Sequence, residues 1–257
     1  MDPEIFRIGS FAVRWYGVLF ALGFVFGYII LQRMFRKEDI PIKLLDSLTT
    51  YMIIGTIIGA RLGHCFFYEP DYYLAHPSKI LAIWEGGLAS HGAGIGIIVA
   101  LIIFSVVKKR PFLWVIDRIV IVVALAGFLI RMGNLMNSEI FGHVTTLPWG
   151  FIFTRAGNQA EAHDPRHPTQ IYEGLSYLLI FIYLLWYYYR KNGTPESGFL
   201  FGMFLILIFG VRFFIEFLKE PQVSFEATMA LNMGQWLSVP FVLAGVYFVV
   251  RAKKIVK

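Results

Sequence analysis

The sequence predicts an all-α polytopic integral membrane protein with about seven transmembrane helices and a small outer cap at about residues 143–170. Of its 257 residues, 57% are hydrophobic and only 16% are charged. The mean hydropathy of +0.64 is far above that of an ordinary soluble domain. No Pro/Gly/Ser-rich linker and no fixed-period repeat divides the chain. We therefore expect one integral-membrane domain over residues 1–257.

The predicted helices are apolar windows of roughly 20 residues, the length needed to cross a hydrocarbon core of about 30 Å. The windows fall at residues 13–33, 46–67, 88–107, 112–133, 171–189, 198–218 and 234–250. Arg61 interrupts the second window, and Asp117 and Arg118 interrupt the fourth. The start, MDPEIFRIGSFAV, has no basic region or small-residue cleavage site, so we expect the first helix to be retained.

Lys and Arg residues in the loops predict the orientation, because short cytoplasmic loops carry the excess. One side has thirteen: Arg33, Arg36, Lys37, Lys43, Lys108, Lys109, Arg110, Arg190, Lys191, Arg251, Lys253, Lys254 and Lys257. The other side has six: Arg7, Arg14, Lys79, Arg155, Arg166 and Lys219. We expect the N-terminus outside and the C-terminus in the cytoplasm. The net charge of +6 is then a topology signal and an attraction to anionic lipids, so we expect no nucleic-acid partner.

Three arginines fall in or beside the outer halves of predicted helices: Arg61, Arg131 and Arg212. An Arg at the centre of a spanning helix costs about 2.5 to 3.5 kcal/mol, so these side chains are expected to line a cavity and to avoid lipid tails. Guanidinium groups bind phosphate oxygens in a bidentate fork. In the outer leaflet the abundant phosphate is a lipid headgroup, which makes a phospholipid the leading substrate class.

The fourth predicted helix ends in the polar stretch RMGNLMNSEIFG, residues 131–142. Asn134 and Asn137 could add amide donors to headgroup or glycerol oxygens. Three glutamates could offset part of the arginine charge: Glu139, Glu173 and Glu216. Because Arg212 and Glu216 are four residues apart on one helix, a simple ion pair is the alternative for that pair.

His91 opens the third predicted helix within EGGLASHGAGIG, residues 85–96. An imidazole can accept a proton from a substrate, which makes this histidine a candidate base. The alternative is that these glycines only allow close helix packing. All six histidines are expected on the outer side, and Cys65, the only cysteine, is interpreted as an apolar filler. No Cys/His spacing resembles a zinc site, and we expect neither a metal nor a cofactor.

Two further stretches open predicted helices with polar residues. RHPTQIYEG, residues 166–174, carries His167, Gln170 and Glu173, and MGQWLSVP, residues 233–240, carries Gln235. Each is a candidate substrate contact. Helix capping is the alternative for part of the first stretch.

Seven stretches together resemble the bacterial prolipoprotein diacylglyceryl transferases. They are VRWYG (13–17), GARLGH (59–64), EGGLASHGAGIG (85–96), RMGNLMNSEIFG (131–142), RHPTQIYE (166–173), VRFFIEFLKEP (211–221) and MGQWLSVP (233–240). They occur in the family's order over the length of the chain, and the fourth stretch carries a specific signature, R-x-G-N-x-x-N-x-E-x-x-G.

The resemblance implies a seven-span inner-membrane enzyme, so the outer cap expected at about residues 143–170 would be periplasmic. Such an enzyme moves the diacylglyceryl group of phosphatidylglycerol to the lipobox cysteine of a preprolipoprotein signal peptide. A thioether forms, and glycerol 1-phosphate leaves. Both substrates belong to the lipid bilayer, and the site is expected toward its outer leaflet.

The resemblance also implies residue roles. His91 matches a base or site organiser, and Arg131 and Arg212 match essential arginines at the headgroup. Other important positions match Tyr16, Asn134, Glu139, Gly142 and Glu216. The chain departs from the family's usual pattern at two positions, with Ile130 in place of Gly and Ile208 in place of Tyr.

The chemistry of the residues agrees with that activity. A free thiol has a pKa of about 8.5, so a base or a positive field must raise the thiolate fraction. His91, Arg131 and Arg212 could supply both, and the guanidinium groups could hold the charge of the leaving phosphate. The alternatives are a transporter or flippase that binds an anionic lipid or solute in the same arginine-lined pocket, and a purely structural membrane scaffold.

Overall fold

The computed structural model describes residues 2–9, 11–155, 163–220 and 230–252. Several predicted features lie outside the described residues. These are Pro221 of the sixth motif, residues 156–162 of the cap, and the terminal Lys253, Lys254 and Lys257.

Within the described residues, seven helices are long and apolar enough to cross a membrane, which confirms the predicted fold class. They are α1 (Trp15–Lys37), α2 (Ile42–Phe67), α4 (Ser90–Val107), α5 (Phe112–Met136), α6 (Thr169–Arg190), α7 (Phe199–Ile215) and α8 (Met233–Val250). Helix α7 continues as a 3₁₀ turn, Glu216–Leu218. The short helix α3 (Pro70–Ala75) and the 3₁₀ turns Pro77–Leu81 and Ile83–Glu85 lie between α2 and α4.

The described strands form two small antiparallel pairs. Strands β1 (Glu4–Ile8) and β2 (Phe11–Arg14) form a hairpin ahead of α1. In the predicted cap, β3 (Phe151–Ile152) pairs with β4 (Pro165–Arg166). An isolated bridge also joins Val144 to Arg166.

Several helices are longer than the predicted windows. Helix α2 begins at Ile42 and α5 continues to Met136, because polar residues at helix ends continue the backbone hydrogen bonding after the apolar run has stopped. The chain divides into two compact units, the first formed by residues 1–31 and 117–257 and the second by residues 32–116. The single domain stays a prediction, and each unit is described by itself.

Small residues bring helices of the first unit together. A Cβ added at Gly202 would lie 2.8 Å from the carbonyl oxygen of Gly245, and one at Gly245 would lie 2.7 Å from that of Gly202. Helices α7 and α8 therefore pack backbone against backbone at this point, as small residues allow in membrane bundles.

Asp117, which interrupts a predicted window, has a local structural role. Its carboxylate accepts hydrogen bonds from the backbone N–H groups of Gly198 (2.7 Å) and Phe201 (2.8 Å) at the start of α7. A carboxylate at a helix N-terminus satisfies free donors and is favoured by the helix dipole. Arg118 beside it donates to the carbonyl oxygen of Gly193 at 3.3 Å.

The second unit is built around close packing of α2 against α4. A Cβ at Gly55 would lie 2.7 Å from the carbonyl oxygen of Gly96, and one at Gly63 would lie 2.7 Å from the Cα of Gly92. The glycines of EGGLASHGAGIG that face α2 thus serve helix packing, which supports the alternative interpretation of that stretch. Gly94 has open space around it.

Candidate functional site

Five charged side chains of the first unit form one network, here called the arginine–glutamate cluster. Its members are Arg131, Glu173, Lys219, Glu216 and Arg212. Arg131 Nε lies 2.8 Å from Glu173 Oε2, and Lys219 Nζ lies 2.9 Å from Glu173 Oε1 and 2.9 Å from Glu216 Oε2. Arg212 Nε lies 4.0 Å from the same Glu216 oxygen. Helix α5, helix α6 and the end of α7 each supply at least one member.

The burial of the cluster differs between its centre and its ends. The side chains of Glu173 and Lys219 are 0% and 2% exposed, whereas those of Arg131 and Arg212 are 13% and 34% exposed. The two arginines therefore have the more accessible side chains.

A second set of contacts orients Arg131 from the motif at the end of α5. Arg131 Nη1 donates to Asn134 Oδ1 at 3.3 Å, and Asn134 Nδ2 donates to Glu139 Oε1 at 2.7 Å. Asn137 Nδ2 donates to the same Glu139 oxygen at 3.2 Å. Glu139 thus acts on Arg131 through Asn134, while its own side chain remains exposed. Arg131 also interacts with the buried Tyr177 of α6.

Arg212 and Glu216 lie within ion-pair distance, as the alternative interpretation predicted, but Glu216 is shared with Lys219. Their separation of 4.0 Å is at the limit of an ion pair, and the nearer partner of Glu216 is Lys219. Arg212 Nε is buried and has no hydrogen-bond partner among the described residues. The Glu216 carboxyl group packs against Gly234 at the start of α8, where an added Cβ would lie 2.6 Å from its carboxyl carbon.

Tyr16 lies beside the same end of α5. A Cβ added at Gly133 would lie only 2.8 Å from the Tyr16 ring. Gly142 is enclosed in a similar way. A Cβ there would lie 2.7 Å from His167 Cβ and 2.9 Å from Thr169 Cγ2. The backbone N–H of Gly142 donates to the carbonyl oxygen of His167 at 2.9 Å. Gly133 therefore allows Tyr16 to approach the end of α5 closely, and Gly142 allows His167 and Thr169 to approach the backbone that follows.

The side-chain contacts argue against direct substrate binding by two predicted residues. Gln170 is 0% exposed, and its Nε2 donates to the carbonyl oxygen of Glu139 at 2.7 Å. Gln235 is 2% exposed, forms a capping box with Asn232, and donates from Nε2 to the carbonyl oxygen of Phe213 at 3.3 Å. Both side chains stabilise the backbone that carries the cluster.

His167 belongs to the cap. Its Nδ1 lies 3.3 Å from the Tyr172 hydroxyl group, which accepts a hydrogen bond from Trp149 Nε1 at 2.9 Å. Trp149 itself is exposed. The ring of His167 is therefore placed by two aromatic residues of the first unit, and its predicted substrate contact stays a prediction.

Arg61 lies in the second unit and is 3% exposed. Its three nitrogens donate to backbone carbonyl oxygens: Nε to Ile80 at 2.9 Å, Nη2 to Lys79 at 2.6 Å, and Nη1 to Gly86 at 2.5 Å and Gly87 at 3.2 Å. The guanidinium group also lies over the Tyr73 ring, 5.0 Å from its centroid. These contacts argue against the predicted phosphate contact and indicate that Arg61 holds the segment between α2 and α4.

His91 also lies in the second unit, at the second residue of α4, and its side chain is exposed. The structure therefore brings together Arg131, Arg212, Glu173, Glu216, Asn134 and Glu139 in the first unit. It leaves His91 and Arg61 in the other.

Lys219 is the cluster member that sequence reasoning missed, since it was counted only as a loop charge. It is 4% exposed and lies at the centre of the network. The available signal was its spacing of three residues from Glu216, which places both on one side of a helical turn.

The cluster holds three cationic groups and two carboxylates, so one positive charge is in excess. Such an arrangement suits a phosphate monoanion or diester, because preorganised donors stabilise negative charge best where water is scarce. The cluster can therefore hold an anionic headgroup and stabilise a phosphate leaving group.

Comparison with known proteins identifies the family. A family model described as prolipoprotein diacylglyceryl transferase matches residues 3–251. The phosphatidylglycerol–prolipoprotein diacylglyceryl transferase of Tolumonas auensis is 51% identical over 256 residues, which is 98% of this chain and 96% of the relative. Proteins of the same name from Chloroherpeton thalassium and Porphyromonas gingivalis are 45% and 46% identical, over 99% and 98% of this chain and 93% of each relative. These matches confirm the resemblance seen in the seven motifs, and the chain belongs to the prolipoprotein diacylglyceryl transferase family.

Proposed function

We propose that this chain is a transferase that moves the diacylglyceryl group of phosphatidylglycerol to the thiol of the lipobox cysteine in a preprolipoprotein signal peptide. The observation that carries this proposal is the arginine–glutamate cluster, in which the two arginines have the most exposed side chains and one positive charge is in excess. The names of relatives at 45 to 51% identity support the same activity. The transporter or flippase alternative is not favoured by these relatives.

The reaction is a displacement at a glycerol carbon. The thiol gives its proton to a base, for which His91 is the candidate, and the thiolate forms a new S–C bond. The C–O bond to phosphate breaks, and its electron pair leaves with glycerol 1-phosphate. Arg131 and Arg212 hold the phosphate oxygens in both the bound lipid and the leaving group.

The other residues of the first unit support this geometry. Asn134 and Glu139 orient Arg131 at one end of the cluster, and Glu216 lies beside Arg212 at the other. Asn137 and Tyr16 lie at the same end of α5, where Asn137 is the candidate for contact with the lipid and Tyr16 is a candidate catalytic residue. Gly142 keeps the following backbone close to α6.

The part of the chain that the structure describes has seven helices long enough to span a membrane. Together with membership of a bacterial family, they support a multi-pass protein of the inner membrane. We propose in addition that the N-terminus lies outside, the C-terminus lies in the cytoplasm, and the cluster faces the outer leaflet. The support is the distribution of Lys and Arg in the loops.

The test is mass spectrometry of a lipobox peptide incubated with the purified protein and phosphatidylglycerol. The expected result is a diacylglyceryl mass shift on the cysteine. A peptide with Ser in place of Cys is the control and should remain unmodified. The absence of any shift, with the protein shown to be folded, would contradict the proposal.

A further inference from the structure

Lys219 occupies an unusual position for a lysine, and the inference drawn from it rests on the proposed function. Its side chain is 2% exposed and lies 2.9 Å from both Glu173 and Glu216. A buried ammonium group is unfavourable unless it is paired and hydrogen-bonded. The two carboxylates meet that requirement, and each of them also lies beside an arginine.

The backbone fixes where this ammonium group can reach. Lys219 is bridged to Gly142, the last residue of the motif that begins at Arg131. Its N–H also donates to the carbonyl oxygen of Glu216 at 3.2 Å. The residue is therefore held between the end of α7 and the segment that follows α5, and its Nζ is the central contact of the cluster.

The charges indicate what this contact does. If Lys219 were absent, the two arginines and the two glutamates of the cluster would balance each other, and the cluster would carry no net charge. With Lys219 shared by both carboxylates, one positive charge remains in excess at the two arginines, which have the more accessible side chains. We propose that Lys219 is a positioning residue that joins the two arginines through their carboxylates and keeps them available to the lipid phosphate.

The proposal is tested by the binding of phosphatidylglycerol to the protein in nanodiscs of zwitterionic phosphatidylcholine, without any peptide. Lys219→Met removes the charge at similar length, and we expect affinity to fall about ten-fold or more because one partner of a buried charged group is lost. Lys219→Arg retains the charge and should bind within about three-fold of the wild type. In turnover assays, Lys219→Met should raise the KM for phosphatidylglycerol more than it lowers kcat.

A charge-compensation variant distinguishes this role from a merely structural one. Lys219→Met combined with Glu216→Gln removes one charge of each sign and restores the single excess positive charge. It also leaves no unpaired carboxylate at that position, so folding should be better tolerated than in the single variant. We expect it to recover most of the lost affinity, whereas a purely structural role predicts a second loss.

The matched control is Lys191→Met. Lys191 also pairs with a glutamate, at 2.7 Å from Glu196, but lies in the loop after α6; phosphatidylglycerol binding should be unchanged. Wild-type affinity in Lys219→Met, or a compensated variant no better than the single one, would overturn the proposal. Because binding is measured without peptide, failure of the wild type to form a thioether would count against the proposed transfer and leave this comparison valid.

Discussion

At the scale of single residues, Arg131 has the most complete support in the site. Glu173 holds its Nε side and Asn134 accepts from Nη1. A guanidinium group fixed from two sides loses little entropy when it meets a phosphate, which is the basis of preorganised charge stabilisation.

Arg131→Ala should therefore lower kcat/KM for thioether formation by about 10² to 10³, the range found when one preorganised donor is removed. Arg131→Lys should fall between this variant and the wild type, since an ammonium group cannot bind two oxygens in a fork. Arg155→Ala is the control, because Arg155 is an exposed residue paired with Asp2 at 3.1 Å. Turnover retained in Arg131→Ala would refute the phosphate clamp.

His91 is the candidate base, and its exposed side chain at the start of α4 leaves it open to a substrate. His91→Gln should lower kcat by about 10² to 10⁴, the usual contribution of a general base. His76→Gln, a change at another exposed histidine, should have no effect. Rates of thioether formation for both variants provide the measurement, and near-normal turnover in His91→Gln would remove the base role.

The arginines were predictable from the sequence, because a guanidinium group inside an apolar run is costly. Lys219 was not, since a lysine that follows a helix resembles an ordinary loop charge. Gln170 and Gln235 were predicted to contact the substrate, because an amide at a helix start fits a ligand and a cap equally well. In the structure, the hydrogen bonds between Gln170 and Glu139 and between Gln235 and Asn232 favour capping and support of the backbone.

At the scale of elements, the start of α8 limits where Glu216 can lie. Gly234→Ala places a methyl group 2.6 Å from the Glu216 carboxyl carbon, so the carboxylate must move. We expect the KM for phosphatidylglycerol to rise several-fold, because Arg212 and Lys219 lose their common partner, and the free energy of unfolding to fall by about 1 to 3 kcal/mol.

Gly210→Ala is the matched control for that change, since Gly210 lies in α7 with no neighbour within 4 Å of an added Cβ. Lipid-dependent kinetics and thermal unfolding of both variants provide the measurements. Equal effects of the two substitutions would show that the contact between Gly234 and Glu216 is not important for the site.

The seven helices themselves were predictable, because length and apolarity are strong signals. The role of Asp117 was not predictable, since its capping of α7 depends on a contact between residues 81 positions apart. The close packing of α2 on α4 was visible only as glycine spacing, and that spacing alone did not exclude a role in catalysis.

At the scale of the whole molecule, the distribution of loop charges predicts which side of the membrane each loop faces. In a Cys65→Ser background, the variant His76→Cys should react with a membrane-impermeant maleimide in intact cells. The variant Lys109→Cys should react only after the membrane is permeabilised. The reverse pattern would contradict the proposed orientation and would move the cluster to the inner leaflet.

In the proposed reaction, lipid transfer and phosphate release are one displacement. To test this, the protein is incubated with a lipobox peptide and with phosphatidylglycerol labelled in its headgroup, and thioether and released glycerol phosphate are measured in the same sample. We expect one glycerol phosphate for each thioether, and no release with a peptide that lacks the cysteine. Release of glycerol phosphate without thioether, or thioether formation with the label retained, would contradict it.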